Sequence, residues 1–349
     1  MTQTIRKKNI QTELDDYERP KGLFILDKKA FDEIYGPEQV DIIRSQVDIY
    51  APLQTRESVK ENPNIIKDAD IIFSGWGVPL FDDKLLSYTD NLDIIFYGSG
   101  SVKHFVTKSL WEKGVRVSSA AIANAVPVAE YTLGQILLSL KRSWYYANKI
   151  RAEKTFAPSV CNVPGGYNAA VGIISLGTIA RLLCEHLEKF DLDLIAYDPY
   201  ILPEDLKGLD INLAELDDVF SRSDIVSLHT PLTDETEGMI TGDHFSRMKY
   251  GSTFINTARG ALVREDEMID VLKERTDITV ILDVTNPEPP LEDSELYTLP
   301  NVMITPHLAG AMGNERRRLG SFVVDELLRY LNDRPLKGEV KEELLTIQA

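Results

Sequence analysis

Cysteine is close to absent from this chain: Cys161 and Cys184 are the two that 349 residues hold. Two thiols build no disulfide framework, and neither has a metal-type Cys/His neighbourhood, so no metal site is expected. A reduced, cytoplasmic setting fits that usage. Long apolar runs are missing as well. No stretch is long enough to span a bilayer, and no apolar segment follows the basic residues near the N-terminus, so a signal peptide is not expected. Positive charge is in short supply: 38 Lys and Arg stand against 55 Asp and Glu, a formal net charge of -17. That balance repels nucleic acid and anionic membrane surfaces, and neither is expected as a partner. It also means that an anionic substrate needs a local cation. Internal repeats and low-complexity segments are absent.

What is present is an ordinary soluble composition, 43% hydrophobic and 27% charged, with length for one large or two ordinary domains. Short apolar runs alternate with amphipathic stretches. GLFILD, VDIYAP, DIIFSG, LDIIFYG and VRVSSA read as strands. A long helical stretch, VPVAEYTLGQILLSLKRSWYYANKI, follows, with Pro127 placed for a first turn. After CNVPGGYN a second series begins: AAVGIIS, DLIAYD, SDIVSLH, STFINT, TVILDV and NVMIT. Such βα alternation predicts an α/β protein with parallel sheets. Two series predict two doubly wound lobes. Residues 1–120 and 308–349 are expected to form a discontinuous substrate lobe, and 121–307 an inserted nucleotide lobe.

The second lobe opens with VGIISLGTIA, a strand running into Ser175-Leu176-Gly177-Thr178-Ile179-Ala180 and then a helix. Gly177 lets the backbone approach a pyrophosphate. Asp198 lies 198 − 177 = 21 residues further on, near the distance of about 20 expected for an acid that holds a ribose 2′-hydroxyl. A carboxylate there repels a 2′-phosphate, so NAD is expected in preference to NADP. Ser175 stands where this loop ordinarily has its first glycine. Its hydroxyl could reach a phosphate, or its side chain could strain the turn and weaken the cofactor, in which case Ser175→Gly would strengthen binding.

Three residues close apolar runs further along: Arg259 after STFINTA, Glu288 after ITVILDVTNP and His307 after NVMITP. Strand ends are where parallel α/β sheets hold ligands. Arginine offers a planar fork for a carboxylate, and histidine exchanges a proton near neutrality with help from a neighbouring carboxylate. Together they suit a 2-hydroxy or 2-keto acid.

In VGIISLGTIA, YDPY, DIVSLHTPLTDET, FINTARGALV, ILDVTNPEP and NVMITPHLAG the chain resembles the D-isomer-specific 2-hydroxyacid dehydrogenases, which include the phosphoglycerate and hydroxypyruvate dehydrogenases. The resemblance runs from about Leu23 to Gly338, and the spacings 288 − 259 = 29 and 307 − 288 = 19 carry much of it. It implies a Rossmann NAD domain inserted into a flavodoxin-like substrate domain, and hydride transfer between nicotinamide and C2. Arg259 would bind the substrate carboxylate, with Glu288 and His307 as the acid/base pair. Asp283 would orient the nicotinamide carboxamide. Pro199, His229, Thr230, Pro231, Thr236, Thr257, Ala258 and Gly310 would line the cofactor, and Ser99, Gly100 and Ser101 the substrate carboxylate. Glutamate at 288, where formate enzymes carry glutamine, argues against formate oxidation. The long helix implies a homodimer, with Trp144, Tyr145 and Tyr146 as contacts. No regulatory domain is expected after Gly338.

Departures are Ser175, Asp191 in place of a helix-ending glycine, and the loops YGSGSVKHF and SGWGVP. These loops suggest an altered specificity pocket shaped by Trp76 and Lys103, with Trp76 and Gly77 counted among the substrate-binding residues. Glu130 reads as a structural carboxylate, Cys184 as a core filler, and His104, His186 and His244 as surface or helix residues. The alternative from another class is a non-catalytic NAD-responsive regulator of the corepressor type, which can retain the same three residues.

Overall fold

The computed structural model describes residues 19–156, 162–206 and 208–345. Contacts divide the chain into two units. One comprises the described residues up to Ser119 together with Gly320–Glu339, and the other Ala120–Leu319 with the residues from Val340 onward.

In the first unit, β1 (Lys21–Ile25), β2 (Asp48–Ile49), β3 (Ile71–Ser74), β4 (Ile94–Tyr97) and β5 (Arg116–Ser119) alternate with α1 (Lys28–Ile34), α2 (Pro37–Gln46), α3 (Arg56–Glu61), α4 (Asp83–Leu86) and α5 (Lys108–Glu112). The sheet order is β2-β1-β3-β4-β5, and the pairings among these strands are parallel. That is the flavodoxin-like order implied by the family resemblance. IIFS of β3 and IIFY of β4 are buried throughout, as strands covered on both faces must be. A further strand, β13 (Glu339–Val340), flanks β5. The chain is tied there by Glu326, fully buried, whose carboxylate accepts from Ser118 Oγ (2.7 Å) and from the Lys337 and Gly338 amides (2.9 Å each).

The second unit begins with α6 (Ala121–Ser139) and α7 (Ser143–Glu153). It continues through β6 (Tyr167–Ile174), α8 (Thr178–Leu187), β7 (Asp191–Tyr197), β8 (Asn212–Leu213), α9 (Leu216–Arg222), β9 (Ile225–Leu228) and α10 (Gly242–Arg247). Then come β10 (Thr253–Asn256), α11 (Glu265–Glu274), β11 (Thr279–Leu282) and β12 (Val302–Ile304); α12 (Arg316–Leu331) starts in this unit and lies in the first from Gly320 onward. The sheet order β8-β7-β6-β9-β10-β11-β12 is parallel throughout and reverses direction between β6 and β9, the doubly wound dinucleotide-type arrangement. Ala129, Ile136 and Leu140 pack with Ala180, Leu183, Cys184 and Leu187 in one core cluster. Cys184 is indeed a filler there, and burial pushes its thiol up to about 12.

Four local expectations are corrected. Helix α6 starts at Ala121, so Pro127 lies in its interior rather than its first turn; the alanine-rich AIANA, strongly helix-forming, supplies the earlier turns. The long helix is two, because Arg142 takes a left-handed conformation (φ 50°) between them. Asp191 needs no left-handed conformation: α8 ends at Glu188 in the right-handed region, and Asp191 opens β7 opposite Tyr167. The return to the first unit falls at Gly320, inside α12, and not at 308. Residues 308–311 stay with the second unit because the amides of Leu308 and Ala309 bond to Asp283 and that of Ala311 to Asn124. Among the described residues no helix is long and apolar enough to cross a membrane, and no cluster of three or more His, Cys, Asp or Glu could hold a metal ion.

Candidate active site

Strand β6 ends at Ile174, and the chain turns through Ser175 and Leu176 to Gly177, the N-cap of α8, with Thr178 and Ile179 in its first turn. Ser175 is left-handed, φ 70°, a conformation costing a residue with a Cβ about 1 kcal/mol or more. Its hydroxyl lies 3.0 Å from Thr230 Oγ1, and its amide donates to the Tyr197 carbonyl at 2.7 Å. The side chain therefore compensates part of the strain by joining the turn to the end of β9. Removing the hydroxyl at either end should be felt only while the other remains. Thr230→Val is expected to cost about 1 kcal/mol with Ser175 present and much less beside Ser175→Gly, measured by urea unfolding as a double-mutant cycle. Equal costs in both backgrounds would deny the bond its role.

Space above the turn is open: a Cβ built on Gly177 meets nothing within 4 Å. The first amides of the ten-residue α8 face it as anion donors. Asp198, at the end of β7, accepts from the Leu176 amide (2.8 Å) through one carboxylate oxygen and the Tyr200 amide (2.9 Å) through the other. Each oxygen keeps a further lone pair. An open glycine turn, helix amides and an acid latched beside them fit a dinucleotide. Pro199 continues the chain from that acid. On the neighbouring loop, Thr236 Oγ1 donates to the Pro231 carbonyl (2.6 Å) and accepts from the Thr233 amide (2.9 Å); its hydroxyl closes that loop upon itself.

His229 is held 2.9 Å from Ser227 Oγ through Nε2, and burial lowers its pKa to about 4. It is neutral in the fold and gains a proton on unfolding below its ordinary value of 6.5. The folded pKa is depressed, so the unfolded chain binds more protons and stability falls as pH drops from about 6.5 toward 4. At about pH 5 the parent should have lost on the order of 2 kcal/mol more than His229→Gln, relative to pH 7, in urea unfolding. Parallel curves would remove His229 as the acid-labile group.

The three adjacent strands β10, β11 and β12 bring the sequence triad together. After β10, Asn256 clamps the turn by accepting from the Ala258 amide and donating to the Arg259 carbonyl, both at 2.9 Å. Arg259 is half-buried and donates to the Ala258 carbonyl at 2.6 Å. Burial lowers its pKa from the usual arginine range, and the Glu288 charge opposes that. Gly260 follows, and a Cβ there would lie 2.0 Å from the Thr285 carbonyl carbon, so the β10 and β11 loops touch backbone to backbone only because this residue is glycine. Thr257 sits behind, its hydroxyl 3.3 Å from that of Thr132 in α6. Glu288 stands between Pro287 and Pro289, whose rings fix φ, and its Oε1 is 2.6 Å from His307 Nδ1. The side chains of His307 and Glu288 are 49% and 42% exposed, respectively, so the pair is open to a ligand.

His307 is itself left-handed, φ 51°. Its turn is built around the buried Asp283: the His307 amide donates to the Asp283 carbonyl (3.0 Å), and the carboxylate accepts from Thr305 Oγ1 (2.6 Å), Leu308 N (2.9 Å) and Ala309 N (2.8 Å). Gly310 passes over Asn124, whose Oδ1 accepts from the Ala311 amide at 2.9 Å. Beside this turn lies a cavity of about 410 Å³ lined by Pro127, Glu130, Tyr131, Leu308, Ala309, Met312 and Glu315.

Trp76, Gly77, Ser99, Gly100 and Ser101 belong to the other unit, at the ends of β3 and β4. The Trp76 carbonyl accepts from the Asp27 amide at 2.9 Å, and Gly77, φ 88°, has no room for a side chain because a Cβ would lie 2.2 Å from Asp27 Oδ1. Ser119 Oγ bonds to the carbonyls of Ser99 (2.9 Å) and Gly100 (2.5 Å). Sequence reasoning missed Asn256, Thr305, Asn124 and Tyr131. The first two lie inside motifs that were read as plain strand ends, whereas Asn124 and Tyr131 carry no local signal apart from helical placement.

Two parallel sheets, with a guanidinium, a carboxylate and an imidazole on adjoining strand ends of one, define a doubly wound α/β protein of the dinucleotide-binding class. Residues 133–309 match the NAD binding domain of the D-isomer specific 2-hydroxyacid dehydrogenases. The YoaD protein of Bacillus subtilis, grouped by name with the 2-hydroxyacid dehydrogenases, is 35% identical over 272 residues, covering 76% of each chain. The chain belongs to that family. A D-3-phosphoglycerate dehydrogenase of Methanocaldococcus jannaschii is 28% identical over 304 residues, which are 84% of this chain and 54% of that protein; this chain thus spans about half its length. The fold is shared with the crystal structure of Rhodotorula graminis D-mandelate dehydrogenase (TM-score 0.77, 21% identity, covering 93% of this chain and 98% of the other).

Proposed function

We propose that this protein is an NAD-dependent oxidoreductase that moves a hydride between nicotinamide and C2 of a D-2-hydroxy acid or its 2-keto acid. The observation that carries the reading is the 2.6 Å His307–Glu288 pair beside half-buried Arg259. Bound nicotinamide supplies or accepts the hydride. Arg259 holds the substrate carboxylate through its fork and polarises the keto oxygen. His307 delivers a proton to that oxygen in reduction and removes it from the hydroxyl in oxidation, while Nδ1 stays with Glu288. The carboxylate of Glu288 stabilises the imidazolium. Atoms balance: a keto group gains hydride at carbon and a proton at oxygen.

On this reading the second unit is the NAD domain and the first the substrate domain. Asp198 disfavours the 2′-phosphate of NADP, and Glu235, which accepts from the Tyr200 hydroxyl at 3.3 Å, adds negative charge near Tyr200. Ser99, Gly100 and Ser101 supply the carboxylate-binding backbone, and Trp76 and Lys103 shape the specificity pocket. Trp76→Ala and Lys103→Ala that leave relative activities across an acid panel unchanged would refute that last assignment. A cytoplasmic homodimer built on α6 and α7 completes the proposal, tested by sedimentation.

The deciding experiment follows NADH oxidation, with NADPH in parallel, over glyoxylate, pyruvate, hydroxypyruvate, phosphohydroxypyruvate and bulkier 2-keto acids. NADH-dependent turnover is the expected result. NADH binding with no turnover on any acid would overturn it and leave the regulator reading.

A further inference from the structure

Helix α6 reaches the turn that carries His307 at two points, Asn124 and Tyr131, 131 − 124 = 7 residues apart and so on one face of the helix. Tyr131 Oη lies 3.1 Å from Thr305 Oγ1, and Thr305 Oγ1 lies 2.6 Å from Asp283 Oδ1. A carboxylate only accepts, so the single Thr305 proton goes to Asp283, and the Tyr131–Thr305 bond must be donated by tyrosine. Upstream, Trp144 Nε1 donates to Gln135 Oε1 at 3.0 Å, and the Gln135 side chain also bonds to Tyr131. Because the one tyrosine proton goes to Thr305, the tyrosine oxygen accepts here, and the Gln135 amide group is the donor. Every proton therefore runs one way, from Trp144 through Gln135, Tyr131 and Thr305 to the carboxylate that also holds the Leu308 and Ala309 amides.

We propose that Tyr131 is a positioning residue for His307: its hydroxyl orients Thr305, which fixes the Asp283 carboxylate around which the left-handed His307 turn is folded. A left-handed residue at a functional site persists only where its surroundings over-determine it, and this chain is part of that restraint. The kinetic part of the proposal rests on the dehydrogenase reading above; the structural part does not.

The test uses the full-length protein with NADH and compares Tyr131→Phe, Thr305→Val, their combination and Thr305→Ser. Each removal of a hydroxyl should lower kcat about tenfold with KM changed less than about twofold, since misplacement of the acid is felt in turnover rather than in binding. Amide hydrogen exchange over residues 305–311, without substrate, should speed up. The double variant should be no slower than the worse single one, because the hydroxyls act in series, and Thr305→Ser should keep parent behaviour. A merely structural tyrosine would lower the melting temperature and leave kcat per folded molecule alone. Unchanged kcat or unchanged exchange in Tyr131→Phe, which deletes one oxygen and so tolerates folding best, overturns the proposal, as do losses that multiply in the double variant. If the parent turns over no acid, the dehydrogenase reading fails and exchange alone decides this one.

Discussion

Replacing His307 by alanine should lower kcat by about three orders of magnitude, within the range of a lost general acid–base, and leave the Kd for NADH within about twofold of the parent. The separation follows from the geometry. The dinucleotide features, Ser175 to Ile179 and Asp198, follow β6 and β7 and open α8, whereas His307 follows β12, an edge strand separated from β6 and β7 by β9, β10 and β11. The imidazole is open to a ligand, and its contact with Glu288 is at the periphery of the packed core, so truncation leaves no buried partner. The turn itself is held by the Asp283 carboxylate and by the His307 backbone amide, which alanine retains. Kinetic constants on the best 2-keto acid, with NADH binding by fluorescence titration, make the check. Turnover within about tenfold of the parent would take the proton-transfer role away from His307.

Arg259→Ala should reduce kcat/KM by about three orders of magnitude, with both KM and kcat affected, and Arg259→Lys should recover little of the loss. The guanidinium is half-buried on a turn clamped by Asn256, and in a chain of net charge -17 it is, on the proposed reading, the local cation for an anionic substrate. A desolvated, bidentate contact to a carboxylate is strong and geometrically exacting, and an ammonium on a flexible stem does not reproduce the fork. On the proposed reading both constants should move, because the same group would bind the carboxylate in the ground state and meet charge developing on the keto oxygen. Arg259→Lys with kcat/KM near the parent value would mean that a point charge suffices.

Much of the site was legible because its parts are local. Arg259, Glu288 and His307 each end or shortly follow an apolar run, and once the runs pair in parallel their carboxyl ends converge. The parallel pairing was readable as well, from the βα alternation, whereas the two sheet orders followed from the family resemblance. Other features were invisible for a physical reason. Pro127 reads as a helix start when only the residues after it are weighed, but the preceding alanines extend the helix past it. Ser175 reads as a missing glycine; its partner Thr230 lies 55 residues away and is brought near only because β6 and β9 are neighbours.

By itself, then, the sequence determined the elements, their parallel pairing, the open glycine turn with its acid, and the order in which arginine, glutamate and histidine arrive at one edge of a sheet. Those properties depend on apolar periodicity and short spacing, which act over a few residues. Only the tertiary structure decided that α6, part of a stretch read as a dimer helix, sends Tyr131 across 174 residues of sequence to Thr305, and that Asp283 gathers the histidine turn. Hydrogen bonds between side chains depend on which helix packs over which strand, and no local pattern encodes that choice.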